Sequence, residues 1–191
     1  MNILFIIGNG FDLRLGLPTG YPHFLNHYKE QNPKHNFEVK TSKEEFFKFI
    51  GHVENEEWKD LEASLGKFTL HLTDKIRFLE FYRDINLSLV DYLSDIEEEA
   101  NSTFTNEQSE HLKQSLLTPY NYLNNREREL FKKYLSGDLY ASIISFNYTS
   151  FLETLCKGHI EKGKYYDIPD SPRIFRLNQI KHIHGRLTEK S

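Results

Sequence analysis

Apolar residues form three short runs at the two ends of the chain and recur at helical spacing between them. The runs are Met1–Ile7, LYASIISFNYT at 139–149 and FRLNQIKHIHG at 175–185. β-Branched and aromatic residues dominate the first two runs, and the third run ends at a glycine, so three strands are predicted, with the first two buried. Parallel pairing of the first two strands would give an α/β sheet.

The segment between the first two strands has the period of amphipathic helices. A helix is predicted over about 22–29, a polar loop over 32–42, and a next helix capped by Thr41 or Ser42, because Glu45 stands at capping-box distance from Ser42. The apolar positions beyond it predict helices that bury a broad face. They are Trp58, Leu61, Leu65, Phe68, Leu72, Ile76, Leu79, Leu89, Leu93, Ile96 and Ala100.

Shorter elements complete the pattern. Helices are predicted over 106–117 and 123–135, with a turn at Pro119 between them, and over 149–156 after the second strand. Residues 157–173 contain two prolines and are predicted as a loop or ragged hairpin.

Composition narrows the class of protein. With 191 residues, the chain is long enough for one domain, or one domain with an inserted lobe. The lone Cys156 excludes an internal disulfide and favours a reducing compartment, so a cytoplasmic protein is expected. A net charge of −4 gives no global attraction to nucleic acid, and the first apolar run is too short to span a membrane.

A glycine pair follows the first strand. At Gly8 and Gly10 the backbone can approach a phosphate closely, although a tight strand-to-helix turn explains the pair equally well. A dinucleotide-binding fingerprint would have a third glycine where Leu13 stands, and no phosphate-binding lysine motif follows. Asp12 either faces a ribose hydroxyl or caps the helix, and on its own the cap is favoured.

Polar residues also end the later strands. Asn147 follows the second strand, where open α/β sheets bind ligands, and its carboxamide suits sugar hydroxyls or a positioned water. In isolation, an Asx turn or a helix cap is the simpler interpretation. His182 and His184 share a strand face, but no carboxylate or cysteine at ligand spacing accompanies them, so no metal is expected. His184 is a candidate general base or a surface histidine.

Three blocks of sequence resemble one family, in matching order along the chain. They are ILFIIGNGFDLRLGLPTGYPHFL, EEWKDLE and SFNYTSFLETL followed by HIHG. The chain resembles the AbiH family of bacteriophage abortive-infection proteins, which is distantly similar to sirtuin-like NAD-binding domains. The resemblance implies a Rossmann-like (sirtuin-like) parallel sheet with a large all-helical insertion after its first strand-turn-helix unit. The implied core is 1–31 with 138–191, and the implied helical lid is 32–137.

The same resemblance implies roles for individual residues. Gly8 and Gly10 would meet the phosphates of NAD, Asn147 would contact the nicotinamide ribose, and His184, in the HG pair, would act as the base. The implied cofactor site also includes neighbours of these residues: Asn9, Phe11, Asp12, Pro18, Thr19, Tyr148 and Thr149.

The sequence departs from the sirtuin pattern in two ways. A sirtuin deacylase carries four zinc-binding cysteines, whereas this chain has Cys156 alone, so deacylation is not expected. Sirtuin-like domains also continue past the HG pair, whereas this sequence stops seven residues after His184. A sheet that is incomplete at its C-terminal side is therefore expected.

Two functions follow from the resemblance. The first is a phage-defence enzyme that hydrolyses the nicotinamide–ribose bond of NAD and depletes it in an infected cell. The second is a nucleotide-sensing or partner-binding module without turnover. The expected partners are a nucleotide, a phage trigger that the sequence does not identify, and a second copy of the chain at an open sheet edge.

Overall fold

The computed structural model describes residues 1–31, 37–52, 61–72, 74–135 and 137–183. Within these residues the chain forms an open sheet of four strands in the order β1-β2-β4-β3. The strands are β1 (Asn2–Ile7), β2 (Leu139–Ser145), β3 (Tyr165–Asp167) and β4 (Ile174–His182). β1 and β4 both pair with β2 in parallel, and β3 pairs with β4 antiparallel. The mixed α/β fold and the parallel pairing of the first two strands are thus confirmed.

The strands differ in burial because of their places in the sheet. β2 lies between two parallel neighbours, and its Leu139, Ala141 and Ile143 are fully buried. β1 is an edge strand, and its Leu4 and Ile6 are 55% and 69% exposed. The prediction that the first strand is buried is therefore wrong, because an edge strand is covered less completely than a central one.

One irregularity interrupts the pairing of β2 with β4. Ala141 pairs with Leu177 but Ser142 pairs with Gln179, so that Asn178 is an extra residue in β4. This is a β-bulge. Beyond it the pairing continues to Ser145 and His182 at the ends of the two strands.

The helices are α1 (Gly10–Arg14), α2 (Tyr21–Glu30), α3 (Phe37–His52), α4 (Leu61–Phe68), α5 (Lys75–Asn101), α6 (Asn106–Leu117), α7 (Asn125–Tyr134) and α8 (Phe151–Cys156). A 3₁₀ turn covers Pro119–Tyr122. The predictions over 22–29, 106–117, 123–135 and 149–156 are confirmed within one or two residues at most ends. Capping boxes at Thr105 and Asn124 explain where α6 and α7 begin. No helix in the described ranges is long and apolar enough to cross a membrane.

The predicted cap at Thr41 or Ser42 is wrong. α3 begins at Phe37, so both residues lie inside the helix, and the predicted loop over 32–42 overlaps it. Ser42 is fully buried, and its Oγ accepts a hydrogen bond from Arg77 Nε at 2.8 Å. Ser42, which the capping-box pattern assigned to a helix end, instead makes a buried hydrogen bond with Arg77. Residues 32–36 and Trp58 lie outside the described residues.

The predicted apolar face of α5 is confirmed in the second half of the helix and is wrong at its start. Leu89, Leu93, Ile96 and Ala100 are buried as predicted, whereas Ile76 and Leu79 are 71% and 60% exposed. Phe81 and Ile85, both fully buried, set the face at the start of this helix. Ile76 lies about 140° around the helix from Phe81, because successive residues are about 100° apart.

The chain forms two compact units. One consists of Met1–Asp12 with Glu97–Ser191, and the other of Leu13–Ile96. The second unit has an aromatic core in which Phe46, Phe68 and Phe81 make edge or tilted ring contacts at 5.2–5.7 Å. Compact units need not coincide with domains, so the division into 1–31 with 138–191 and 32–137 stays a prediction.

Candidate functional site

Polar side chains are buried where the parallel strands end. β1, β2 and β4 end at Ile7, Ser145 and His182, and the carboxyl ends of parallel strands meet at one edge of a sheet. Backbone hydrogen bonds extend the pairing there, from Phe146 N to Ile7 O and from Ile183 N to Ser145 O, each 2.9 Å. Beside them lie the buried side chains of Asp12, Ser145, Asn147 and Thr149.

Asp12 is the centre of this cluster. Its Oδ1 accepts a hydrogen bond from Asn147 Nδ2 at 2.8 Å, and its Oδ2 accepts one from Thr149 Oγ1 at 2.7 Å. α1 begins at Gly10, so Asp12 lies inside the helix and the interpretation as a helix cap is wrong. The carboxylate instead ties the first strand-turn-helix unit to the turn after β2.

Burial raises the pKa of Asp12 from 3.8 to about 6. The hydrogen bonds from Thr149 and Asn147 oppose this rise in pKa, the charge of Glu97 adds to it, and the charge of His182 lowers it. A carboxyl with a pKa near 6 is mostly ionised at neutral pH, so Asp12 is an acceptor under physiological conditions.

Asn147 is fixed through three of its polar groups. Its backbone N donates to Ser145 Oγ at 3.2 Å, its backbone oxygen accepts from His182 Nδ1 at 2.9 Å, and its Nδ2 donates to Asp12. The fourth group, Oδ1, is buried and has no hydrogen-bond partner among the described residues. Because an ionised carboxylate only accepts hydrogen bonds, the amide nitrogen must face Asp12 and Oδ1 must point away from it.

The interpretation of Asn147 as a helix cap is also wrong. The residue at the N-cap of α8 is Ser150. Its N and Oγ both donate to Glu97 Oε1 at 2.5 Å. Asn147 is therefore free of a capping role and is held by Asp12 instead.

Two acidic residues of this region were missed in the sequence. Glu97 is 7% exposed, and Glu153 Oε1 lies 2.7 Å from His182 Nε2. Acidic residues on helices usually face solvent, so neither of them was expected to be buried. A signal for Glu97 was present, since it stands four residues after Leu93 and three before Ala100, on the buried face of α5.

The glycine turn is open. Phe11 N donates to Gly8 O at 2.9 Å and closes the turn into α1. Apart from adjacent residues and the backbone of α1, a Cβ added at Gly8 or Gly10 would meet no heavy atom of the described chain within 4 Å, and neither glycine has a positive φ. Packing and backbone conformation therefore do not require these glycines, and the space in front of them suits a ligand that approaches the backbone.

The structure brings together three of the predicted site residues by direct contact, Asp12, Asn147 and Thr149. Asn9 is exposed, and Phe11 and Tyr148 are half-buried. Pro18 and Thr19 belong to the second unit, where the Pro18 carbonyl accepts from Tyr92 Oη at 2.7 Å. The predicted base His184 lies outside the described residues, so its meeting with Asn147 stays a prediction.

In the described part of the chain, no group of three or more His, Cys, Asp and Glu side chains is placed to hold a metal ion. The second unit contains a cavity of about 480 Å³. Its buried Lys43 donates to the Tyr28 and Gln31 carbonyls, so that this lysine fixes the end of α2. No predicted site residue lines the cavity.

The chain has an open, mostly parallel sheet with a buried Asp–Asn–Thr cluster at its carboxyl edge, and it is therefore an open-sheet α/β protein. In this class of fold, ligands usually bind at that edge. In the comparison with family models, residues 4–191 match the family described as "Bacteriophage abortive infection AbiH". The protein belongs to the AbiH family, as its sequence predicted, and this suggests a function in phage abortive infection. No curated protein and no solved structure matches the chain. The similarity to sirtuin-like domains stays a prediction.

Proposed function

We propose that the protein is a phage-defence enzyme that binds NAD at the carboxyl edge of its sheet and hydrolyses the nicotinamide–ribose bond. The supporting observation is Asn147 Oδ1, a buried acceptor of fixed orientation without a hydrogen-bond partner among the described residues. Leaving such an atom unsatisfied costs about 1–3 kcal/mol. A ribose hydroxyl is a donor that would satisfy it.

The cluster also suits the charge that develops during this reaction. Cleavage of a glycosidic bond passes through an oxocarbenium-like transition state, which carries positive charge on the sugar. Asp12 is a buried negative charge that accepts a hydrogen bond from the Asn147 amide. Glu97 is a second buried carboxyl in the same unit. Preorganised groups of this kind stabilise a charge where it forms.

Three further parts of the proposal are carried over from the sequence as predictions. The turn at Gly8 and Gly10 supports the approach of a phosphate to the backbone, because a Cβ placed at either glycine would enter open space. His184 keeps its predicted role as general base. The role of residues 32–137 as a lid stays a prediction.

A nucleotide-sensing module without turnover is the second candidate function. Both oxygens of Asp12 already accept hydrogen bonds from Asn147 and Thr149. A carboxylate engaged in this way orients its neighbours and is poorly placed to accept a proton from water. This observation favours binding over catalysis for the described part of the site.

Nicotinamide release separates the two functions. The chain is incubated with NAD and the products are separated by chromatography, while NAD affinity is measured by calorimetry. We expect release by the parent, and a loss of at least about 100-fold for Asn147→Ala, because this variant removes both the acceptor and the positioning of the sugar.

The matched control is Asn86→Ala, which removes the same carboxamide from a half-buried position of α5, where its amide donates to the Tyr82 carbonyl of its own helix. It should retain the parent rate. NAD binding without release would favour the sensing module, and the absence of both would contradict the proposed ligand. In cells, Asn147→Ala and His184→Ala should abolish toxicity without loss of soluble protein.

A further inference from the structure

We propose that His182 is a positioning residue of this site, which holds the backbone of Asn147 so that Oδ1 stays presented to the ligand. Its imidazole bridges two groups, with Nδ1 2.9 Å from the Asn147 carbonyl oxygen and Nε2 2.7 Å from Glu153 Oε1. The His182 side chain is 3% exposed. The inference rests on the proposed function in one respect, namely that Asn147 contacts the ligand.

The direction of the hydrogen bond to Asn147 follows from its acceptor. A carbonyl oxygen can only accept, so Nδ1 of His182 must carry a proton. Glu153 Oε1 then holds the other ring nitrogen and prevents the ring from turning. The carboxylate on α8 thereby orients a donor on β4 toward the turn that joins β2 to α8.

Asn147 needs this support because of where it stands. It follows β2 by two residues and precedes α8 by four, so no strand or helix hydrogen bond of its own fixes its carbonyl. Hydrogen bonds fix the chain on either side of it. Phe146 N donates to Ile7 O just before Asn147, and Ser150 Oγ donates to Glu97 Oε1 three residues after it. Loss of the His182 contact would let the peptide after Asn147 rotate, and the side chain would move with it.

Two substitutions of His182 separate its two contacts. The amide nitrogen of an asparagine side chain reaches close to the position of imidazole Nδ1, and that of glutamine reaches close to Nε2. His182→Asn therefore keeps a donor for the Asn147 carbonyl and loses Glu153. His182→Gln keeps the contact with Glu153 and leaves the carbonyl without its donor.

The first measurement is the kinetics of NAD hydrolysis by the full chain. We expect His182→Gln to lower kcat by about 10–100-fold, because small misplacements of reacting groups have costs of that order, with KM changed much less. His182→Asn should stay within about threefold of the parent, since the carbonyl keeps its donor. Equal losses in the two variants would overturn the inference.

The second measurement does not need turnover. The side-chain amide pair of Asn147 is assigned in a ¹H–¹⁵N spectrum as the pair missing from Asn147→Ala. It should stay in place in His182→Asn and shift or broaden in His182→Gln. If the parent releases no nicotinamide, the proposed function fails and this spectrum still decides the role of His182. An unchanged pair in both variants, or loss of the folded spectrum in both, would overturn it.

Discussion

Asp12 connects parts of the molecule that are far apart in sequence. Its hydrogen bonds to Asn147 and Thr149 span 135 and 137 residues, and both of its oxygens are used. The residue is buried, and burial is the largest cause of its raised pKa. A carboxylate kept in such a place destabilises the fold when it ionises, which suggests that it is retained for the order it imposes on Asn147.

The raised pKa predicts how the stability of the folded protein depends on pH. The folded state, with a pKa of about 6 at Asp12, binds this proton more tightly than the unfolded chain, with a pKa near 3.8. The resulting stabilisation is complete below about pH 3.8 and is lost as pH rises through about 6. At about 1.4 kcal/mol per pKa unit, the loss is about 3 kcal/mol.

Urea unfolding of Asp12→Asn checks this prediction, because the variant cannot titrate at this position. The free energy of unfolding of the parent, minus that of the variant, should fall by about 2.4 kcal/mol between about pH 4 and pH 7, and by the full amount only when the lower pH is well below 3.8. The exposed Asp95→Asn is the matched control and should show no comparable change. A parent-minus-variant difference that is constant with pH would mean that Asp12 has an ordinary pKa in the folded protein.

At the scale of elements, the turn between β1 and α1 combines conformational freedom with open space. Gly8 and Gly10 do not have a positive φ, and apart from adjacent residues and the backbone of α1 no described atom lies within 4 Å of a Cβ placed there. Gly16, by contrast, has φ 81° and needs glycine for its conformation. Two glycines that the described chain does not require are the pattern expected for a turn that faces a ligand.

Alanine substitutions in this turn should therefore separate folding from binding. We expect Gly8→Ala and Gly10→Ala to change the free energy of unfolding by less than about 0.5 kcal/mol, the usual range for unstrained surface positions. NAD affinity should fall by about 10-fold or more, which corresponds to about 1.4 kcal/mol. Calorimetric titration measures the affinity.

Gly16→Ala provides the comparison for these variants. It should destabilise the fold by about 1 kcal/mol or more, because alanine is strained at a positive φ. If Gly8→Ala and Gly10→Ala bind NAD as tightly as the parent, the turn does not approach the ligand.

The sequence predicted elements better than it predicted their caps and their contacts. Period and composition located the three long strands and most helices, because these signals come from burial along each element. The Ser42 cap failed since Ser42 bonds Arg77, and the Asp12 cap failed since Asp12 bonds Asn147 and Thr149. Those contacts join residues that are distant in sequence, and no local pattern contains them.

The candidate site was predictable in the same partial way. Asn147 could be predicted because it follows the end of a strand. Thr149 was included in the predicted site because it stands close to Asn147 in the sequence. Glu153 could not be predicted as a partner of His182, since the pairing depends on how α8 packs beside β4. Sequence spacing gives the end of each strand but not the order of strands in the sheet.

At the scale of the whole molecule, the described sheet has an apolar edge. Leu4 and Ile6 on β1 are more than half exposed, and β1 pairs with a single described strand, β2. Unpaired strand edges of this kind are templates for pairing with another chain. We propose that the predicted self-association uses this edge.

A charged residue on β1 should therefore reduce self-association. We expect the parent to show a concentration-dependent increase in mass by sedimentation, and Ile6→Lys to shift the apparent dissociation constant upward by about 10-fold or more, since charges on edge strands oppose pairing. Leu130→Lys, at an exposed position of α7, is the matched control. A parent that stays monomeric at all concentrations would contradict the prediction.

The bulge at Asn178 has a consequence for how the two ends of β4 can change. Leu177 pairs with Ala141 before it and His182 pairs with Ser145 after it, with one residue of slack between them. Loss of Asn178 would leave both pairs aligned in a regular strand, whereas in a strand without the bulge the loss of any residue between them would bring a neighbour of His182 opposite Ser145. A change of length at Asn178 therefore leaves the pairs at both ends of β4 unchanged. A related protein that is one residue shorter at this point would keep His182 opposite Ser145.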